Sequence, residues 1–327
     1  MSRVRARLFG AALSLALVAT PASAQPTFWQ ELREPKVKRA EELMARAELL
    51  MMGSQASSLD GSLARSLVRD AVELIELFQK DVAPDPRREY LYGHLLIQQP
   101  IARYAEARKV LERALSQDPD SPMAAQGLFD LAIACAKLGD SKAEQLAYTR
   151  ALTLEWQRDE RSVLFLNRAE SNMVLGRMDE ALSDYSRAIS MAGDPRTQAL
   201  AFYGKGIVKE RMGDLPSALR SVELAARIRF GPYSALDLPG VFFVPEFDIH
   251  YYKALEAMAI AANARRRTKP SVRGEARALA KAVVSWRLYL GEAEPAKHVW
   301  VSHAQRHLRR CVERLEALPR AKPKVPG

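Results

Sequence analysis

Gly139, Gly176 and Gly213 stand 37 residues apart, each in a short turn between two helix-patterned segments: Leu138-Gly139-Asp140, Leu175-Gly176-Arg177 and Met212-Gly213-Asp214. An alanine recurs at the same interval, as Ala114, Ala151, Ala188 and Ala225. A fixed period of this length marks a chain built from copies of one supersecondary unit, none of which can bury its apolar face alone. The unit reads as a helical hairpin. Glycine ends the first helix because it enters the left-handed backbone region without a Cβ clash, and Asp140 or Asp214 is then placed to cap the second. Ser121-Pro122 and Asp194-Pro195 predict the starts of first helices, with proline where its missing N–H is not needed. On the second helices Ala107, Ala114, Ala181, Ala188, Ala218 and Ala225 form a small stripe that lets helices approach, while Leu111, Tyr148, Tyr185 and Val222 fill the space between.

The segments YAEARKVLERALSQDP (Tyr104 to Pro119) and RMDEALSDYSRAI (Arg177 to Ile189) resemble the second helix of the tetratricopeptide repeat. Ala132, Ala169 and Gly206 stand at that family's small position in first helices. The resemblance covers residues 88–230. Glu144 departs from it at a position where a small residue is usual, and so does the period, since the family repeats every 34 residues. It implies an all-α fold, a right-handed superhelical solenoid of helical hairpins with divergent terminal repeats and a C-terminal capping helix. Around the core lie two helices at 36–52 and 61–81, joined by the linker from Gly53 to Gly61, which make residues 25–87 a degenerate repeat. After an apolar insert at 231–247, helices at about 248–265, 272–290 and 296–317 make residues 248–318 a divergent repeat with a cap. The proline-rich basic tail, 319–327, is expected to be disordered.

Arg3, Arg5 and Arg7 precede the apolar run from Leu8 to Ala19 and the pattern Ala22-Ser23-Ala24. This is the order of a secretory signal peptide, cleaved after residue 24, and it predicts a periplasmic protein. The run is shorter than the ~20 residues of a spanning helix, and no later stretch is long and apolar enough to cross a membrane. Without residues 1–24 the chain carries 46 Lys and Arg against 39 Asp and Glu, an excess of 7 that reads as mild and dispersed along helices. Nucleic acid is therefore not expected as a partner. Cys135 and Cys311 lie far apart, and Cys135, among alanines on a helix, reads as a small buried apolar residue.

The sequence lacks HExxH, CxxC, GxSxG, SxxK, a phosphate-binding loop and GxGxxG. No cofactor is expected, and the chain reads as a binding protein rather than an enzyme. His303 and His307, four residues apart on the last helix, are a weak metal pair, disfavoured by Arg306, Arg309 and Arg310 beside them. A small-molecule or metal-binding periplasmic protein is the alternative reading.

The resemblance implies that first helices line a concave binding face. Carried onto this sequence, the inward positions are Tyr92, Leu96, Phe129, Ile133, Leu166, Asn167, Glu170, Met173, Tyr203, Ile207 and Glu210, of which about half are expected to pack between helices. Family members that grip carboxylate termini use Lys, Arg and Asn there, and only Asn167 is of that type. The face therefore suits an apolar or weakly basic segment of a protein partner. Val241, Phe242, Phe243 and Val244 form the most apolar non-helical stretch, either docked on the protein's own helices, the favoured expectation, or offered to a partner.

Overall fold

A computed structural model describes residues 38–46, 58–79, 85–228, 230–231, 233–238, 240–266 and 268–319. The expected signal peptide, the tail from 320 onward and most of the expected linker from 53 to 61 lie outside the described residues. Among the described residues the regular elements are helical, apart from an isolated bridge between Phe230 and Tyr233. None of these helices is long and apolar enough to cross a membrane. The chain divides into two compact units, residues 1–160 and 161–327.

The first unit holds α1 (38–46), α2 (Ser58–Gln79), α3 (Pro86–Ile97), α4 (Tyr104–Gln117), α5 (Ala124–Lys137) and α6 (Ser141–Ala151). α3 packs on α4, α4 on α5 and α5 on α6. The helix expected at 61–81 starts earlier, at Ser58, and so takes in Gly61. Asp85 caps α3 through Arg87 N at 3.1 Å, with Pro86 in the first turn. The expected start at Ser121-Pro122 is displaced. Ser121 Oγ instead closes a turn by accepting from Met123 N at 3.3 Å, and α5 begins at Ala124.

The second unit holds α7 (Arg158–Val174), α8 (Met178–Met191), α9 (Pro195–Arg211), α10 (Leu215–Arg227), α11 (Asp248–Arg266), α12 (Val272–Ala293) and α13 (Val301–Glu316), with a short 3-10 turn at Ala235–Asp237. The last helix starts five residues later than the pattern suggested, because residues 294–300 form turns, with Lys297 at φ 53°.

The repeat has a common physical cause. Gly139, Gly176 and Gly213 have φ of +74°, +76° and +91° with open space around them, so backbone conformation and not crowding selects glycine. Each turn closes the same way: Asp140 N, Arg177 N and Asp214 N donate to Cys135 O, Asn172 O and Lys209 O at 3.0, 2.8 and 2.9 Å. The glycine N–H donates three residues back, which satisfies carbonyls the helix end would leave open. Asp140 and Asp214 then cap the next helix, accepting from Ala143 N and Ser217 N. One aspartate thus ends a helix and starts its successor. Arg177 offers no such side-chain bond.

Ala107, Ala114, Ala151, Ala181, Ala188, Ala218 and Ala225 are all essentially inaccessible. Leu111, Tyr148, Tyr185 and Val222 are buried beside them. Close approach is enforced on the first helices too: a Cβ on Gly127 would lie 2.5 Å from Tyr90 and one on Gly206 2.5 Å from Val222. Both cysteines are buried, and burial pushes each thiol up to about 11.

Candidate functional site

In the first unit, Tyr92 and Leu96 on α3 are 2% and 0% exposed and belong to the core. The Tyr92 hydroxyl sits among Glu106 (2.8 Å), Glu76 (3.1 Å) and Arg103 (2.6 Å), joining α2, α3 and α4. Phe129 and Ile133 on α5 are only partly covered. Phe129 packs against Tyr148 and Trp156 with ring centroids 6.0 and 6.4 Å away. A shallow cleft between α3 and α5 holds a pair that the motif search passed over. His94 Nδ1 lies 2.8 Å from Asp130 Oδ2, and Gln126 donates to the other carboxylate oxygen at 2.8 Å. Their separation of 36 residues, almost one repeat, is the signal that places both on equivalent turns of successive first helices.

In the second unit, Leu166, Met173, Tyr203, Ile207 and Glu210 are between 0% and 4% exposed. A partner can reach none of these five. Asn167 and Glu170 on α7 are partly exposed. Tyr203 donates to Glu256 on α11 and lies 3.2 Å from Ser234 Oγ in the insert.

The insert docks on its own unit. Ala235 and Leu236 are buried at 2% each, and Asp237 pairs with Lys253 at 2.6 Å. Along 241–244 burial alternates, so neighbouring side chains take opposite sides. Phe243 faces inward, edge-on to Tyr252 at 5.0 Å, whereas Phe242 and Val244 face outward, 42% and 37% exposed. Phe247 continues the inward contact, edge-on to Tyr289 at 5.7 Å and His298 at 5.4 Å. Self-docking and exposure therefore coexist in this loop.

Tyr252 connects this loop to α7. Its hydroxyl lies 3.1 Å from both oxygens of Glu170, and Tyr185 donates to the same carboxylate at 2.6 Å. Burial raises the Glu170 carboxyl above its ordinary range, against the two tyrosine hydrogen bonds and Arg211. Phe242 and Val244 thus point away from the side of the loop that meets Tyr252.

Beneath this face lies a buried polar cluster. Glu210 at the end of α9 receives Tyr251 from α11 and two imidazoles from α13, His307 Nε2 at 2.6 Å and His303 Nδ1 at 3.1 Å. Burial alone would raise the Glu210 carboxyl, but the hydrogen bond and charge of His307, then the bonds from Tyr251 and His303, bring it down to about 2. His307 also stacks on Trp286 of α12 at 5.3 Å. The pair His303 and His307 therefore ties α13 to α9. Among the described residues no group of three His, Cys, Asp or Glu is arranged to hold a metal ion. Next to Glu210, Arg211 is enclosed between Tyr251 and Trp300, 5.4 and 4.8 Å from their ring centroids, with Asp248 at 3.7 Å. Burial raises Asp248 to about 6 despite Arg211, and the charge of Glu170 adds to the shift.

Successive helical hairpins, a left-handed glycine at the turns of three of them and small residues where helices cross define a tetratricopeptide-like fold. Two solved structures are similar to it. YrrB, described as a TPR protein with an unusual peptide-binding site, is 22% identical over 65% of this chain and 97% of its own, with a TM-score of 0.41. BtubC (BKLC) from P. vanneervenii is 21% identical over 61% of this chain and 89% of its own, with a TM-score of 0.43. No protein-family model and no curated protein matches the sequence.

Proposed function

We propose that this protein is a non-catalytic interaction scaffold, exported to the periplasm, that binds an apolar or weakly basic segment of a protein partner. The observation that supports this most is the chain of contacts Phe243, Tyr252, Glu170. It fixes one side of the apolar loop on the protein's own helices and leaves Phe242 and Val244 outward, while Glu170 and, one turn before it on α7, Asn167 are partly exposed. An apolar side chain with a neighbouring cation or N–H donor fits such a face, and an acidic one does not. Aromatic residues in such positions carry a large share of binding energy.

Site-specific photocrosslinking tests this reading. A benzophenone side chain replacing Phe242 should capture one discrete protein in cells that make the full-length chain. The same group at Leu77, which is 70% exposed on α2, serves as the control. Identical adducts from both positions, or none from Phe242, would remove this face from the function.

A further inference from the structure

The chain's modest net charge conceals a strong asymmetry. Residues 265–327 contain 16 Lys and Arg against 5 Asp and Glu, whereas residues 25–264 contain 30 against 34.

Much of this excess falls on one helix face. Arg273, Arg277, Lys281 and Arg287 of α12 are exposed and recur at helical spacing with Ala280, Val284 and Leu288. Val284 and Leu288 are 57% and 49% exposed. The two carboxylates of α12 are engaged away from the cations. Glu275 is 5% exposed and accepts from Arg314 at 2.8 Å, and Glu292 faces His250 at 3.9 Å. On the adjoining α13, Arg306, Arg309 and Arg310 are exposed as well. Arg310 lies one turn before Arg314, the residue that reaches across to α12. Several cations elsewhere are paired, as Arg103 with Glu76, Arg113 with Glu89 and Arg168 with Asp184.

We propose that the outer face of α12, flanked by the cations of α13, docks the protein on an anionic phospholipid surface. Charge complementarity selects a polyanion: four cations on α12 have no counter-charge on that face. The interleaved Val284 and Leu288 select lipid among polyanions. Long Lys and Arg side chains reach headgroup phosphates while apolar neighbours enter the boundary with the acyl chains. Nucleic acid gains nothing from an exposed valine and leucine, and this face offers no exposed aromatic platform on which bases stack. An acidic protein would be met by the charges alone.

The test is flotation of the full chain with vesicles of phosphatidylcholine containing about one quarter phosphatidylglycerol, against pure phosphatidylcholine, at low and high salt. Binding is expected on the anionic vesicles only, weakening as salt screens the charges. Replacing Arg273, Arg277, Lys281 and Arg287 together by Gln should weaken it by about 600-fold, since each surface cation contributes about fivefold. Val284→Ser with Leu288→Ser keeps every charge and should weaken binding by about 5–10-fold. All six positions are exposed, so the melting temperature of each variant should match the parent. Absence of binding to anionic vesicles overturns the proposal. Binding that ignores the Val284 and Leu288 changes and is competed away by polyglutamate would also overturn it, and would assign the face to an acidic protein.

Discussion

Replacing Glu210 by Gln should remove a pH-dependent contribution to stability whose size follows from the cluster around it. Glu210 is 3% exposed, and three side chains from α11 and α13 converge on it. Its carboxyl falls from 4.5 to about 2, which corresponds to roughly 3 kcal/mol at 1.36 kcal/mol per pH unit. Because the folded-state value is depressed, that contribution is complete above about pH 4.5 and is lost as pH falls through about 2. Gln keeps the shape and accepts hydrogen bonds but carries no charge, so urea unfolding of the two proteins isolates the ionised form. The difference between them should be largest between pH 5 and 7 and should narrow by roughly 2 kcal/mol on going from about pH 4.5 to 3. Asp248 has the opposite sign: raised from 3.8 to about 6, it weakens folding as pH rises across that window. It is present in both proteins and largely cancels in the difference. A gap that stays constant within ~0.5 kcal/mol from pH 5 to 3 would refute the electrostatic account of how α13 is held.

Three further outcomes are expected. Gly204→Ala should destabilise the protein by ~1–3 kcal/mol in urea unfolding, because its Cβ would lie 2.2 Å from Tyr185, a fully buried ring tied to Glu170. This outweighs the ~1 kcal/mol by which Ala favours a helix over Gly, and an unchanged stability would contradict the packing. Phe243→Ser should lower the melting temperature by an amount equivalent to ~1–3 kcal/mol, since its ring packs edge-on to Tyr252. An unchanged melting temperature would contradict that contact. Mass analysis of the exported protein should find Gln25 as its first residue, following the small residues Ala22 and Ala24, and an intact Met1 would rule out cleavage there.

The sequence by itself determined the repeating architecture, because its causes are local. A left-handed glycine and the aspartate after it act within about five residues, so Gly139, Gly213, Asp140 and Asp214 could be assigned from spacing alone. The alanines of the second helices were legible for a related reason: a helix crossing demands a small side chain whatever the partner helix is. Local rules failed where two signals competed, as at Ser121-Pro122, where a hydroxyl turn took the place of a helix start. Only the tertiary structure decided which first-helix side chains remain available. Leu96, Ile207 and Met173 have the periodicity of a binding face, yet burial depends on what packs above them, and that comes from elsewhere in the chain. The same holds for Glu210, an acid in sequence like any other on a helix surface. It became the anchor of the last helix because Tyr251, His303 and His307, 41 to 97 residues away, converge on it. The loop at 241–244 shows the division within four residues: its apolar character was written in the sequence, but the choice of Phe243 for the interior and Phe242 for the surface was made by Tyr252.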